Sequence, residues 1–131
     1  MLVNKKGVKM NVILSIKPQF VKQIFNGQKK YEFRRVIFKK YNIKKVIIYA
    51  SFPVKKIVGE FEIETILSDS LSDLWYKTQE FAGINQDHFF DYFSGKKIGF
   101  AIKIKKLKKY RIPIDLFDLY GIKPPQSFCY I

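Results

Sequence analysis

Apolar positions come first in a short run at residues 11–16, which fits a buried strand, and Pro18 then suits the first position of a helix. Phe20, Val21, Ile24 and Phe25 share one helical face, and Asn26-Gly27 is a natural C-terminal stop. The pattern then switches to alternation. Over roughly 29–35, Tyr31 and Phe33 oppose Lys30, Glu32 and Arg34, so Glu32 and Arg34 fall on one strand face. A third strand over 46–51 places Ile47, Tyr49 and Ser51 on one side, and Phe52-Pro53 turns the chain. Residues 56–67 read as a long fourth strand, with Ile57, Phe61 and Ile63 against Glu60, Glu62 and Glu64.

Two short helices are predicted next. The first covers about 71–82, with Leu71, Leu74, Trp75 and Phe81; Asn85 caps the second, about 86–94, with Phe89, Phe90 and Phe93 inward and Gly95 ending it. Residues 97–107 alternate cleanly, Ile98, Phe100, Ile102 and Ile104 against Gly99, Ala101, Lys103 and Lys105. The tail opens with a capped turn at Asp115 and closes on Pro124-Pro125-Gln126-Ser127-Phe128. This β-α-β-β-β-α-α-β order predicts an α+β fold, a small mixed β-barrel of about five to six strands with three or more short helices. It argues against a doubly wound sheet, which needs a helix after nearly every strand. A single domain is expected over 11–131, preceded by a basic, loose leader over 1–10.

Composition narrows the class. The chain has 131 residues, 47% hydrophobic and 17% aromatic, enough for one packed core. One Cys and one His exclude an internal disulfide and argue against a zinc centre, so neither metal nor cofactor is expected. The apolar run Val12-Ile13-Leu14 soon meets Lys17 and Pro18, too short for a signal segment or a membrane span; a cytoplasmic protein without a membrane partner is expected.

Charge changes the picture more. The first 59 residues hold 15 Lys and Arg against one carboxylate, Glu32, while the other 72 hold 10 of each sign. All of the net charge of +14 therefore belongs to the first part. Lys outnumbers Arg 22 to 3 in a chain rich in Ile, Phe, Tyr and Asn, a bias that an A+T-rich genome produces by itself. The distribution weighs more than the total, and it points to a basic face for a nucleic acid.

The spacing Gly27-x-Lys29-x-x-Glu32-x-Arg34 resembles the signature of the ASCH domain, a branch of the PUA-like superfamily. Its context matches too: Ser15-Ile-Lys-Pro18, Tyr49-Ala-Ser-x-Pro53, Gly59-Glu-Phe61 and Pro124-Pro125-Gln126-Ser127-Phe128, over residues 11–131. The resemblance implies a PUA-like pseudobarrel with a cleft beside the first helix and the Gly-x-Lys turn. It also implies RNA binding, ribonuclease activity in some small relatives, and an acetylcytidine amidohydrolase in others. In those amidohydrolases a Lys and a Thr act; the Lys position matches Lys29, but Glu32 occupies the Thr position, which disfavours deacetylation.

Candidate side chains follow. Lys29 can hold a phosphate or act as a low-pKa amine, and is expected in the turn, pointing into the cleft. Glu32 and Arg34 form a same-face pair, a barrel-closing salt bridge or an orienting contact for a phosphate. Lys17 and Arg35 are rim phosphate contacts. Tyr49, Ser51 and Lys55 converge around a proline turn and can hold a nucleotide; Lys55 can stabilise a phosphorane-like state. Gln126 and Ser127 rest on the resemblance. If the protein is an enzyme, Lys29, Glu32, Tyr49, Lys55 and Ser127 are the catalytic candidates. Trp75, Tyr92 and the Phe cluster at 89, 90 and 93 read as core rather than as base-stacking groups, and His88 as a poor general base. An RNA or other nucleic-acid-binding module leads; a small ribonuclease or nucleotide-modifying hydrolase follows. A basic regulator or inhibitor that takes a protein partner is the third reading.

Overall fold

The computed structural model describes residues 10–39 and 42–131. Residues 1–9 of the expected leader lie outside them. Residue 10 does not belong to a loose leader: Met10 opens the first strand and pairs with Ile43.

Six strands and four helices make an α+β fold. β1 (Met10–Ile16) is followed by α1 (Pro18–Phe25), β2 (Tyr31–Arg34), β3 (Ile43–Ala50) and β4 (Lys56–Ser70). Then come α2 (Leu71–Thr78), a 3₁₀ turn (Gln79–Phe81), α3 (Gln86–Tyr92), β5 (Ile98–Ile114), α4 (Leu116–Tyr120) and β6 (Phe128–Tyr130). The strands lie in one mixed sheet in the order β2-β5-β4-β3-β1-β6. β1 runs parallel to β3, whereas β1/β6, β2/β5 and β3/β4 are antiparallel.

Two compact units divide the chain. The first holds the described residues up to Pro18, Phe38–Glu62 and Lys106–Ile131; the second holds Gln19–Ile37 and Ile63–Lys105.

In the first unit, Val12-Ile13-Leu14 and Val46 to Ala50 are buried without a break, because β1 and β3 are inner strands covered on both faces. One face gathers Ile13, Ile47, Tyr49, Ile57 and Leu116, with Tyr110, Ile114, Tyr120, Ile122 and Ile131 packed against them. The capped turn predicted at Asp115 is α4, whose Asp115 Oδ1 accepts the Asp118 N–H at 3.0 Å. The closing segment does more than end the chain. Phe128–Tyr130 adds β6 to the free side of β1; three residues after two prolines are too short to show alternation.

The second unit has an aromatic core of Phe33, Leu74, Ala82, Phe89, Phe93 and Ala101. Phe33 and Phe93 meet Phe89 edge-on, with centroids 5.2 and 4.9 Å away, the arrangement that ring quadrupoles favour. Phe89 and Phe93 are thus core groups, as their helical spacing predicted. The expected helix over 71–82 stops at Thr78 and tightens into the 3₁₀ turn. β5 continues well past residue 107, to Ile114. Its alternation misled in one respect: Gly99 and Ala101 are buried, while Ile98 is exposed. They lie beneath the aromatic cluster, and a Cβ on Gly99 would stand 2.7 Å from the Phe93 ring, so the small residues make room for it.

Candidate functional site

In the second unit, α1 ends at Phe25, and Gly27 in the turn after it, with φ of +85°, sends the chain back so that Lys29 bridges to Ala82. Lys29 is 3% exposed. Its Nζ donates to the Ala82 carbonyl at 2.8 Å and stands 4.6 and 5.2 Å from the Phe33 and Phe20 ring centroids. Burial, offset by Glu32 and reinforced by Arg34, lowers its pKa to about 8. The regular strand begins after it, as expected. The ammonium is nevertheless enclosed by two aromatic faces and a carbonyl, which suits structure or proton exchange better than a grip on a phosphate.

Glu32 and Arg34 form a buried ion pair at 3.1 Å on one face of β2. Arg35 donates from Nη1 to the Tyr92 and Ser94 carbonyls, both at 2.8 Å, and so closes the C-terminal end of α3. Tyr92 returns the link by donating to the Phe33 carbonyl at 3.0 Å. Burial pushes the Tyr92 phenol up.

Beside the first helix and the Gly27-Gln28 turn lies a groove of about 650 Å³. Carboxamides of Gln23, Asn26, Gln28, Gln79 and Asn85 line it with Glu80 and Phe81, and no Lys or Arg does. Gly83 lies against the Lys29 stem there: a Cβ on it would stand 2.9 Å from Lys29 Cβ.

The first unit holds the other candidates. Tyr49 on β3 is the register partner of Ser15 on β1. Ser15 in turn donates its N–H to the Ser127 carbonyl at 3.0 Å, continuing the β1/β6 ladder by one step. Partners across a ladder share a face. Tyr49, Ser15 and Ser127 therefore form one row across three adjacent strands, on the face that carries Ile13 and Ile47. Ser15 Oγ donates to the Pro125 carbonyl at 2.6 Å, which ties the closing segment to β1. Tyr49 is 3% exposed; burial first, and the Asp115 charge second, push its phenol pKa up and keep the proton on.

Ser51 heads the turn into β4, its N–H donating to the Ile16 carbonyl at 3.0 Å. Lys55 leaves that turn exposed, with φ of +57° in the left-handed region. Lys17 and Gln126 are exposed, as is Ser127. On the same unit Glu60 accepts Tyr110 at 2.7 Å and pairs with Lys45 at 2.8 Å. Its carboxyl is pushed up by burial, but those two partners outweigh this and hold it below its usual value. Sequence reasoning passed over Ser15 as a site residue; its place opposite both a Tyr and the closing Ser is a matter of register, not of spacing. Among the described residues no group of three or more His, Cys, Asp or Glu is placed to hold a metal, and no helix is long and apolar enough to cross a membrane.

The model of a domain of unknown function, DUF365, matches residues 9–119. An "ASCH domain-containing ribonuclease" of Zymomonas mobilis is 32% identical over 123 residues, covering 91% of this chain and 82% of that protein. The chain belongs to the ASCH-type DUF365 family. Crystal structures of the Zymomonas ASCH protein, one with a Tyr replaced by Phe and another with a Ser replaced by Ala, superpose with TM-scores of 0.83 and 0.84. They are 28% and 29% identical and match 92% of this chain and 89% and 87% of theirs. Two Ureaplasma parvum proteins are also similar, ATP synthase subunit alpha (32%) and large ribosomal subunit protein uL22 (31%). The chain spans only 15% and 39% of their lengths.

Proposed function

We propose that this protein binds single-stranded RNA and cleaves it where the row of Tyr49, Ser15 and Ser127 comes to the surface, from buried Tyr49 through half-buried Ser15 to exposed Ser127, with Lys55 as the cation. The observation that carries the reading is the register row: three hydroxyl side chains in line across β3, β1 and the residue that leads into β6. The relative named as a ribonuclease supports it, and so do the substitutions in its solved variants. Those remove a phenol and a serine hydroxyl, the two groups that Tyr49 and Ser127 would bring here.

The chemistry suits RNA and not DNA. A ribose 2′-oxygen attacks the adjacent phosphorus and loses its proton to solvent; the P–O5′ bond breaks and a 2′,3′-cyclic phosphate forms. The Tyr49 phenol, held protonated by its burial, donates its proton towards the departing O5′. Lys55 neutralises charge that builds on the phosphate oxygens. Ser15, anchored on the Pro125 carbonyl, holds the closing segment so that Ser127 keeps its place in the row. Lys17 and Gln126 serve as flanking contacts. In the other unit Arg34 and Arg35 are committed to Glu32 and to α3, so their role is to shape that unit.

Incubation of end-labelled single-stranded RNA with wild type, Tyr49→Phe, Ser127→Ala and Lys55→Ala tests this. Cyclic-phosphate ends from wild type and a loss of at least tenfold in each variant are expected. Equal cleavage by all four removes the assignment. Salt-sensitive binding without cleavage by wild type leaves a binding module.

A further inference from the structure

Phe52 is a large apolar side chain left in water. It is 80% exposed, whereas the neighbouring Ala50, Tyr49 and Ile57 are all buried. Pro53, Val54 and Lys55 are exposed beside it, Val54 to 42%, and Ser51 is half-buried. The turn itself is well held. Ser51 N–H donates to the Ile16 carbonyl at 3.0 Å, and the Val54 and Lys55 N–H groups both donate to the Ser51 carbonyl, at 3.1 and 3.4 Å. Lys55 sits with a left-handed φ of +57°, a conformation that a Lys keeps only where its surroundings over-determine it. A phenyl ring is thus presented on a pre-formed support, three residues after Tyr49 and three before a free-standing cation.

We infer that Phe52 is a stacking platform for one unpaired base, whose adjoining phosphate is met by Lys55. The inference rests on the RNA reading above and adds to it the group that selects single strands. A paired base has no free face to offer, whereas an unpaired base of any identity has one, so the preference is for strandedness and not for sequence. Because the turn is already ordered, little conformational freedom is lost when the base lands. The ring points to a flat aromatic ligand rather than to a helix of a protein partner, since the exposed apolar groups of this turn, Phe52, Pro53 and Val54, are three consecutive residues at one tip and form no stripe for a helix to follow.

The test is a binding series at low salt with a short oligouridine, alongside the same oligomer carrying one abasic position at each site in turn. Phe52→Ala is expected to weaken binding about tenfold, and Phe52→Trp to match or exceed wild type. Phe52→Leu, apolar but without a π face, should behave like Ala. One abasic position should cost wild type what Phe52→Ala costs, and cost that variant nothing more. Because the side chain is exposed, all three variants should melt with wild type. Phe52→Ala or Phe52→Leu binding as tightly as wild type overturns the stacking role and leaves RNA binding intact. A wild type that binds no oligomer removes both.

Discussion

Replacing Lys29 by Met separates a buried charge from the stem that carries it. The folded chain holds this amine at a pKa of about 8 against an ordinary value of 10.5, chiefly through burial. That difference is worth about 3 kcal/mol between the two protonation states. The folded pKa lies below the unfolded one, so between them the unfolded chain binds more protons and stability rises with pH. Below the folded pKa the cost of the buried ammonium is present in full; it is relieved as pH rises through 8 and is gone above 10.5. From pH 7 to pH 9.5 wild type should gain about 2 kcal/mol relative to Lys29→Met. At pH 7 the variant escapes that cost but leaves the Ala82 carbonyl without its donor, at about 1–3 kcal/mol, so the two proteins should be close. At pH 9.5 wild type should be the more stable. Urea unfolding at both pH values measures the difference, and the tyrosines common to both proteins cancel. A gap between wild type and variant that stays constant within about 0.5 kcal/mol would refute the reasoning, because the amine would then titrate alike folded and unfolded.

Other expectations are simpler. Glu32→Gln removes the carboxylate from its buried ion pair with Arg34 and should cost about 3 kcal/mol, read as a lowered midpoint in urea. Gly99→Ala drives a methyl into the Phe93 ring and the Leu74 side chain and should cost about 1–3 kcal/mol; an unchanged midpoint would mean that the aromatic cluster yields freely. Asp115→Ala removes the α4 cap at about 1 kcal/mol and should leave RNA binding alone. RNA affinity should fall steeply between low and moderate salt, since phosphate contacts release counterions; a flat response contradicts the electrostatic part of the account.

Much of the fold could be read from the sequence because the strands alternate and the helices carry ordinary caps. Asn85 caps α3 where its chemistry said it would, although the helix ends at Tyr92, before the expected stop at Gly95, and Glu32 meets Arg34 because two residues apart on a strand means one face. What escaped depends on pairing across the chain. β6 is three residues with no period of its own, and it exists because β1 offers it an edge. The burial of Gly99 and Ala101 on β5 was not legible in their alternation, since small residues do not reveal what they make room for. Of the proposed site, part was named from the sequence. Tyr49, Lys55 and Ser127 were named from context, but Ser15 needed the β3-β1-β6 register. The expected cleft beside α1 is matched in place by a groove, lined with amides where cations were foreseen. Arg35 was read as a phosphate contact at the rim; its guanidinium closes a helix, through carbonyls almost sixty positions away.

The central claim, that RNA is engaged on the Tyr49–Ser15–Ser127 face and its adjoining turn, is tested most directly by photo-crosslinking. A 4-thiouridine oligomer bound to the wild-type protein would be irradiated, and the crosslinked peptides mapped. Crosslinks on the peptides bearing Tyr49 to Lys55 and Gln126 to Phe128 are the predicted result. Crosslinks confined to the amide-lined groove, on peptides from Gln23 to Gln28 and Gln79 to Asn85, would contradict it.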